Sequence, residues 1–123
     1  MFNYNKVAGN AGEGYVCAYL QNEGYKIIAT QHVDAGAEVD IIAEKGEILA
    51  FVEVKMRASM ENGMPNQAVD KRKQAKIRRV AQYYLLKNNI RDKVGRFDVA
   101  EIIGNIRTGQ LCVDKFNYYK NAF

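Results

Sequence analysis

EVDIIAEKGEILAFVEVKMR, residues 38–57, is the stretch on which the fold turns. Residues 38–43 and 48–57 are rich in strand-forming side chains, and Lys45-Gly46 between them reads as a two-residue hairpin turn. With that turn Asp40 faces Phe51, and Glu38 faces Glu53. Successive strand side chains alternate between faces, so one side of the hairpin collects Val39, Ile41, Ala43, Ile48, Ala50, Val52 and Val54. The other side collects Glu38, Asp40, Ile42, Leu49, Phe51, Glu53 and Lys55. A slip of one residue would mix an aliphatic set with a charged one, so the pattern argues for this parity.

The charged face carries chemistry. Two carboxylates brought together repel and resist burial. Oxygen ligands are what Mg²⁺ or Mn²⁺ prefers, and such an ion removes the repulsion. Lys55 follows Glu53 by two and shares its face, where an ammonium can hold a water or balance charge on a phosphoryl group. Asp40, Glu53 and Lys55 thus make a candidate centre for metal-assisted phosphodiester hydrolysis. The structural alternative is a wet sheet face with Glu-Lys cross-strand pairs. Ile42, Leu49 and Phe51, interleaved with the charges, argue for a covered face instead.

Upstream, Val7 to Glu23 reads as a helix with Val16, Cys17 and Leu20 on one stripe and Gly24 as its stop. Glu13 lies on that apolar stripe. It is either a further acid for the metal or a first-turn glutamate favoured by the helix dipole. Tyr25 to Thr30 is a short strand, and His32 belongs to a Gln-His-Val-Asp surface loop. Downstream, residues 58–65 read as an irregular loop, and Asn66 caps a helix running to about Asn88 with Val69, Ile77, Val80, Ala81, Tyr84 and Leu85 inward. Arg96 to Ile103 and Leu111 to Phe116 are two more strands, joined by a turn near Thr108-Gly109. The order is α-β-β-β-α-β-β, an α/β fold on a mixed sheet, expected as one domain over residues 1–123.

Residues 71–79, KRKQAKIRR, hold six basic residues and no acid. Arg72, Lys76 and Arg79 recur at helical spacing, and with Lys73 they suit either a polyphosphate backbone or a solvated helix face. Arg57 continues the Glu53–Lys55 alternation as a phosphate contact at the rim. Asp98, within Arg96-Phe97-Asp98-Val99, either supports the centre or pairs with neighbours of Arg96. The tail of Phe116, Tyr118, Tyr119 and Phe123 reads as packing on the core rather than as a base-stacking platform.

Composition narrows the classes. In 123 residues, 18 Lys plus Arg against 14 Asp plus Glu give a net charge of +4, which permits a polyanionic partner without requiring one. The single histidine disfavours Ser-His and Cys-His mechanisms. Gly9, Gly12 and Gly14 do not follow a strand and form no nucleotide-binding phosphate loop. Cys17 and Cys112 lack zinc spacing and read as reduced thiols of a cytoplasmic protein. No apolar run approaches the roughly 18 residues of a membrane span, so no membrane is expected.

Gly12-Glu13, Gly24-Tyr25, Ala37-Glu38-Val39-Asp40-Ile41-Ile42, Phe51-Val52-Glu53-Val54-Lys55 and Arg57 resemble the YraN family of small, restriction-endonuclease-like proteins. Gly63, Pro65, Ala68-Val69, Lys73, Lys76-Ile77, Ala81, Tyr84-Leu85, Arg96-Phe97-Asp98-Val99 and Asn121-Ala122-Phe123 extend the likeness over nearly the whole chain. That family is similar to archaeal Holliday-junction resolvases and to the PD-(D/E)-x-K nucleases. The resemblance implies a restriction-endonuclease-like fold in which Asp40 and Glu53 hold Mg²⁺ or Mn²⁺, with Glu13 and the Val54 carbonyl as further metal ligands. Lys55 would orient the attacking water. The implied function is a DNA endonuclease acting on branched or damaged DNA and leaving 5′-phosphates. The alternative is a non-enzymatic nucleic-acid- or partner-binding module on the same fold. The chain departs from the family at Ala37, where glycine is usual, and residues 27–37 lack any arginine or lysine to grip DNA. A monomer is the default from the sequence, while the resolvases pair up and keep a homodimer open.

Overall fold

A computed structural model describes residues 4–58 and 69–123, with side chains from residue 9 onward. The elements are α1 (Tyr4–Asn22), β1 (Lys26–Asp34), β2 (Ala37–Lys45), β3 (Ile48–Arg57), α2 (Lys71–Lys87), β4 (Val94–Arg107) and β5 (Gln110–Tyr119). This is the expected mixed α/β order. Among the described residues five strands form one sheet in the order β1-β2-β3-β4-β5. All neighbours are antiparallel except β3 and β4, which run parallel. A parallel pair needs a long crossover, and α2 lies within it. Among the described residues no helix is long and apolar enough to cross a membrane.

Both helices end by the same device. Tyr25 N–H donates to the Leu20 carbonyl and Gly24 N–H to that of Gln21, with Gly24 at φ 92°. This is a Schellman arrangement, which satisfies the last carbonyls by turning one residue left-handed. Asn89, at φ 52°, does the same for α2 through Ile90 to Leu85 and Asn89 to Leu86. The start of α2 differs from expectation. Asp70 is extended and its carboxylate accepts from the Lys73 N–H at 2.9 Å, so the helix begins at Lys71. Val69 precedes it as a buried anchor, and Asn66 lies outside the described residues, as do positions 59–65 of the expected loop.

The hairpin turn also shifts. Lys45 pairs with Ile48, leaving Gly46-Glu47 as the two-residue loop. Gly46 takes φ 59° while Glu47 stays negative, the requirement of a type II′ turn for glycine at its first central position. Ile42 therefore pairs with Phe51 and Ile41 with Val52, two places from the expected register. A shift of two preserves parity, and the faces survive. Ile41, Ala43, Ala50 and Val52 pack with Val16, Leu20 and Tyr25 on the α1 side. Ile42, Leu49 and Phe51 pack with Ile77, Val80 and Ala81 on the α2 side.

Val39 is the exception, packing on the α2 side rather than with Ile41. Gln31, at φ 49°, breaks the alternation of β1 beside it. His32 pairs with Val39 and meets Tyr84 of α2 edge-on, with ring centroids 5.2 Å apart. The histidine is thus a half-buried strand residue, not a loop residue. The first strand runs on to Asp34 because Ala35-Gly36, both at positive φ, close a tight hairpin that carries the pairing to Asp34 and Ala37. Likewise β4 and β5 are longer than expected, joined at Thr108-Gly109, with Tyr15 and Tyr19 against Phe116 and with Phe97 stacked on Phe123.

Candidate active site

The ladder between β2 and β3 ends at Ile41 and Val52, and the site begins there. Beyond that pair the Val54 N–H has lost its neighbouring strand. Asp40 replaces the strand: its Oδ2 accepts from that N–H at 2.8 Å. A strand amide left without a partner would be costly, so this bond fixes the Asp40 carboxylate next to Glu53.

Glu53 is 3% exposed. Its Oε1 meets the Lys73 ammonium, while its Oε2 is buried with no hydrogen-bond partner among the described residues. Burial raises its pKa to about 7, and the negative charge of Asp40 adds to the rise. Lys73 offsets part of that effect, whereas a hydrogen bond to Asp40, open only to the protonated acid, adds to it. Glu13 approaches from α1, held by the Gln31 amide at 3.2 Å. Its pKa is raised by burial, against the lowering by that hydrogen bond, with further upward contributions from Asp40 and Glu38. Among the described residues no three His, Cys, Asp or Glu side chains are gathered into a ready metal cage. Asp40 and Glu53 form the pair, and Glu13 lines the cleft beside it.

An open cleft of about 480 Å³ brings Glu13, Asp40, Glu53, Val54, Lys55, Arg57 and Lys73 together. Lys55 and Arg57 are half-buried on β3. Arg57 reaches the fully buried Glu101 of β4 at 2.7 Å, and Glu101 also accepts from the Asn117 amide at 3.1 Å. Gly104 lines the same cleft at a strand irregularity, where any Cβ would lie 2.1 Å from the Cys112 carbonyl oxygen. Only glycine allows β5 to pass that closely. A second cleft of about 630 Å³ shares Asp40 and Lys73 with the first and adds Glu38, Asp70, Arg72 and Lys76. Arg79 is exposed on α2 and lines neither cleft.

Asp98 is elsewhere. It lies fully buried on the α1 face, tied to Arg96, Tyr118 and the Asn121 N–H. Of its two expected roles the structural one is what its contacts describe.

Residues 12–102 match the pattern of "Uncharacterised protein family UPF0102". A UPF0102 protein of Alkaliphilus metalliredigens is 42% identical over 120 residues, 97% of this chain and 99% of the relative. One from Acetivibrio thermocellus is 39% identical over 122 residues, 98% and 94% of the two chains. The chain belongs to the UPF0102 family. The matched stretch contains every acid and base of the UPF0102 site described above.

Three features of this UPF0102 site escape sequence reasoning. Lys73 serves Glu53 rather than lying only on an open basic stripe; Gln31 holds Glu13; and Glu101 holds Arg57. A signal existed for Lys73, since a lysine three residues after a capping aspartate sits in the first helical turn, but its partner lies on another element.

Proposed function

We propose that this UPF0102 chain is a divalent-cation-dependent DNA endonuclease of the restriction-endonuclease-like type, acting on branched or damaged DNA. The observation that carries the reading is the meeting of Asp40 and Glu53 where β2 and β3 part, with Glu53 Oε2 buried and unpartnered. A buried carboxylate oxygen without a partner among the described residues, set beside a second acid, costs stability and suits a cation ligand. The residues fit a hard ion: Asp40 and Glu53 would hold it, with the Val54 carbonyl and Glu13 as further oxygen donors. Two carboxylates suffice for Mg²⁺, which keeps several of its waters. Such an ion, when bound, supplies Lewis acidity to the phosphodiester and acidifies a water.

The chain's own groups do the rest. Lys55 orients the attacking water and balances charge on the phosphoryl oxygens. Arg57, steadied by Glu101, grips a phosphate at the rim. Arg72 and Lys76 follow the backbone along the second cleft. Water adds at phosphorus and the P–O3′ bond breaks, leaving a 5′-phosphate and a 3′-hydroxyl.

A second reading is a nucleic-acid-binding module without catalysis. Lys73 supports it, because its ammonium already balances Glu53 without a metal. Incubation with four-way, nicked and single-stranded DNA plus Mg²⁺ or Mn²⁺ separates the two. Endonuclease action predicts cleavage of at least one substrate, with Lys55→Met slowing it by roughly two to three orders of magnitude, the scale of losing one charge-stabilising donor. Absence of any Lys55-dependent cleavage favours the module.

A further inference from the structure

Lys73 stands where two requirements collide. Its main chain is pinned by the Asp70 cap, but its side chain is 43% exposed and borders both clefts. Its ammonium is on Glu53 Oε1, so a cation entering between Asp40 and Glu53 meets a positive charge already there. The lysine cannot simply leave an ionised Glu53, since an uncompensated buried carboxylate is strongly unfavourable. For the ionised acid, departure and cation entry go together.

The second cleft shows what departure would do. Among the described residues its acids are Glu38, Asp40 and Asp70, and its bases are Arg72, Lys76 and Lys73. While Lys73 is committed to Glu53, two bases face three acids, and a phosphate is repelled. Once a cation neutralises Asp40 and releases Lys73, three bases face two acids. The sign of the cleft reverses.

We infer that Lys73 is an exchangeable counter-ion: its ammonium holds Glu53 in the metal-free protein, a divalent cation displaces it, and the freed side chain turns to a nucleic-acid phosphate in the second cleft. This rests on the proposed cation site at Asp40 and Glu53. Cation and nucleic acid then strengthen each other's binding by the same factor, as linkage requires. A nuclease so built grips DNA firmly only when loaded.

The test uses the full chain, first with Mn²⁺ alone in a calorimeter. Lys73→Met should bind Mn²⁺ about tenfold more tightly than the native chain, while Arg79→Met, which removes a charge from the same helix at a position bordering neither cleft, should stay within about twofold. With Ca²⁺ and a fluorescent four-way junction, the cation should raise DNA affinity about tenfold in the native chain and about twofold or less in Lys73→Met. If Lys73→Met does not fold, the Lys73 Cε–Hε magnetic resonance of the native protein, assigned through Lys73→Arg, should shift on saturation with Mg²⁺. Equal Mn²⁺ affinity in the native chain and Lys73→Met, or an unmoved Lys73 resonance in Mg²⁺-saturated protein, overturns the exchange and leaves the cation site standing. No Mn²⁺ binding by any of the three proteins overturns both.

Discussion

Asp98 and Glu53 are buried acids on opposite faces of one sheet, and they are treated in opposite ways. Asp98 has both oxygens fully used: Arg96 donates from Nε at 2.9 Å and Nη2 at 2.8 Å, Tyr118 at 2.6 Å and the Asn121 N–H at 3.1 Å. Arg96 in turn donates to the Tyr25 hydroxyl at 2.5 Å. The hydrogen bonds with Asp98 raise the Arg96 pKa further, and burial beside that charge keeps Tyr118 a neutral phenol. The network ties β4 and β5 to the segment after α1 and to the tail. Glu53 has one ammonium, one bare oxygen and a second acid against it. Burial alone does not mark a functional acid. Incomplete satisfaction beside a like charge does.

The comparison breaks most visibly at Asp98. Asp98→Ala should cost about 3–5 kcal/mol in chemical denaturation, because it removes the buried acceptor shared by the half-buried Arg96 guanidinium, the Tyr118 hydroxyl and the Asn121 N–H, and should leave any Mn²⁺ response of the remaining folded protein unchanged. A small loss of stability would place Asp98 and Glu53 in the same class.

Glu53 should show the converse through pH. Its folded pKa of about 7 lies above the ordinary 4.5, so the folded state holds a proton that the unfolded chain has released. Stability of the metal-free protein should therefore be highest below about pH 4.5 with respect to this group and fall as pH rises through about 7, by roughly 1–3 kcal/mol. Glu53→Gln should remove that slope. Cation binding, which needs the ionised acid, should weaken below about pH 7 in the native chain. A pH-independent metal response would contradict the assignment.

The smallest effects belong to the basic helix. Arg72→Ala should leave stability within about 0.5 kcal/mol, weaken DNA binding without regard to sequence, and lower the salt-dependence slope by about one. Arg79→Ala, at a position bordering neither cleft, should do less. Equal effects would make the helix a uniform charged face rather than a path leading to the cleft.

The architecture was legible because its signals are local. Parity along Asp40–Lys45 and Ile48–Lys55 is kept when the turn moves by one residue and the register by two, so Asp40, Glu53 and Lys55 line one cleft although their cross-strand partners differ from those expected. Val39 changes face beside Gln31, a left-handed residue that no composition rule marks, and His32 joins the sheet because the first strand runs on past Thr30. The first strand was cut short because Ala35-Gly36 lacks the Asn-Gly or Asp-Gly stamp of a tight turn. Asp70 caps α2 because a side-chain oxygen and the third helical amide must meet, a fit that spacing leaves open. Lys73 and Glu101 depended on how α2 and β4 lie against β3, which is tertiary information.

The central claim is that Asp40 and Glu53 together hold a hard divalent cation, and thermal unfolding with and without Mn²⁺ tests it most directly on the native chain and Asp40→Asn. Asparagine can still accept from the Val54 N–H, so the strand junction is kept while the repulsion is removed. The native chain should gain about 2–3 kcal/mol when Mn²⁺ is near a hundred times its dissociation constant. Asp40→Asn should melt higher than the native chain without metal and gain nothing from it. A variant that gains as much from Mn²⁺ as the native protein would contradict the site.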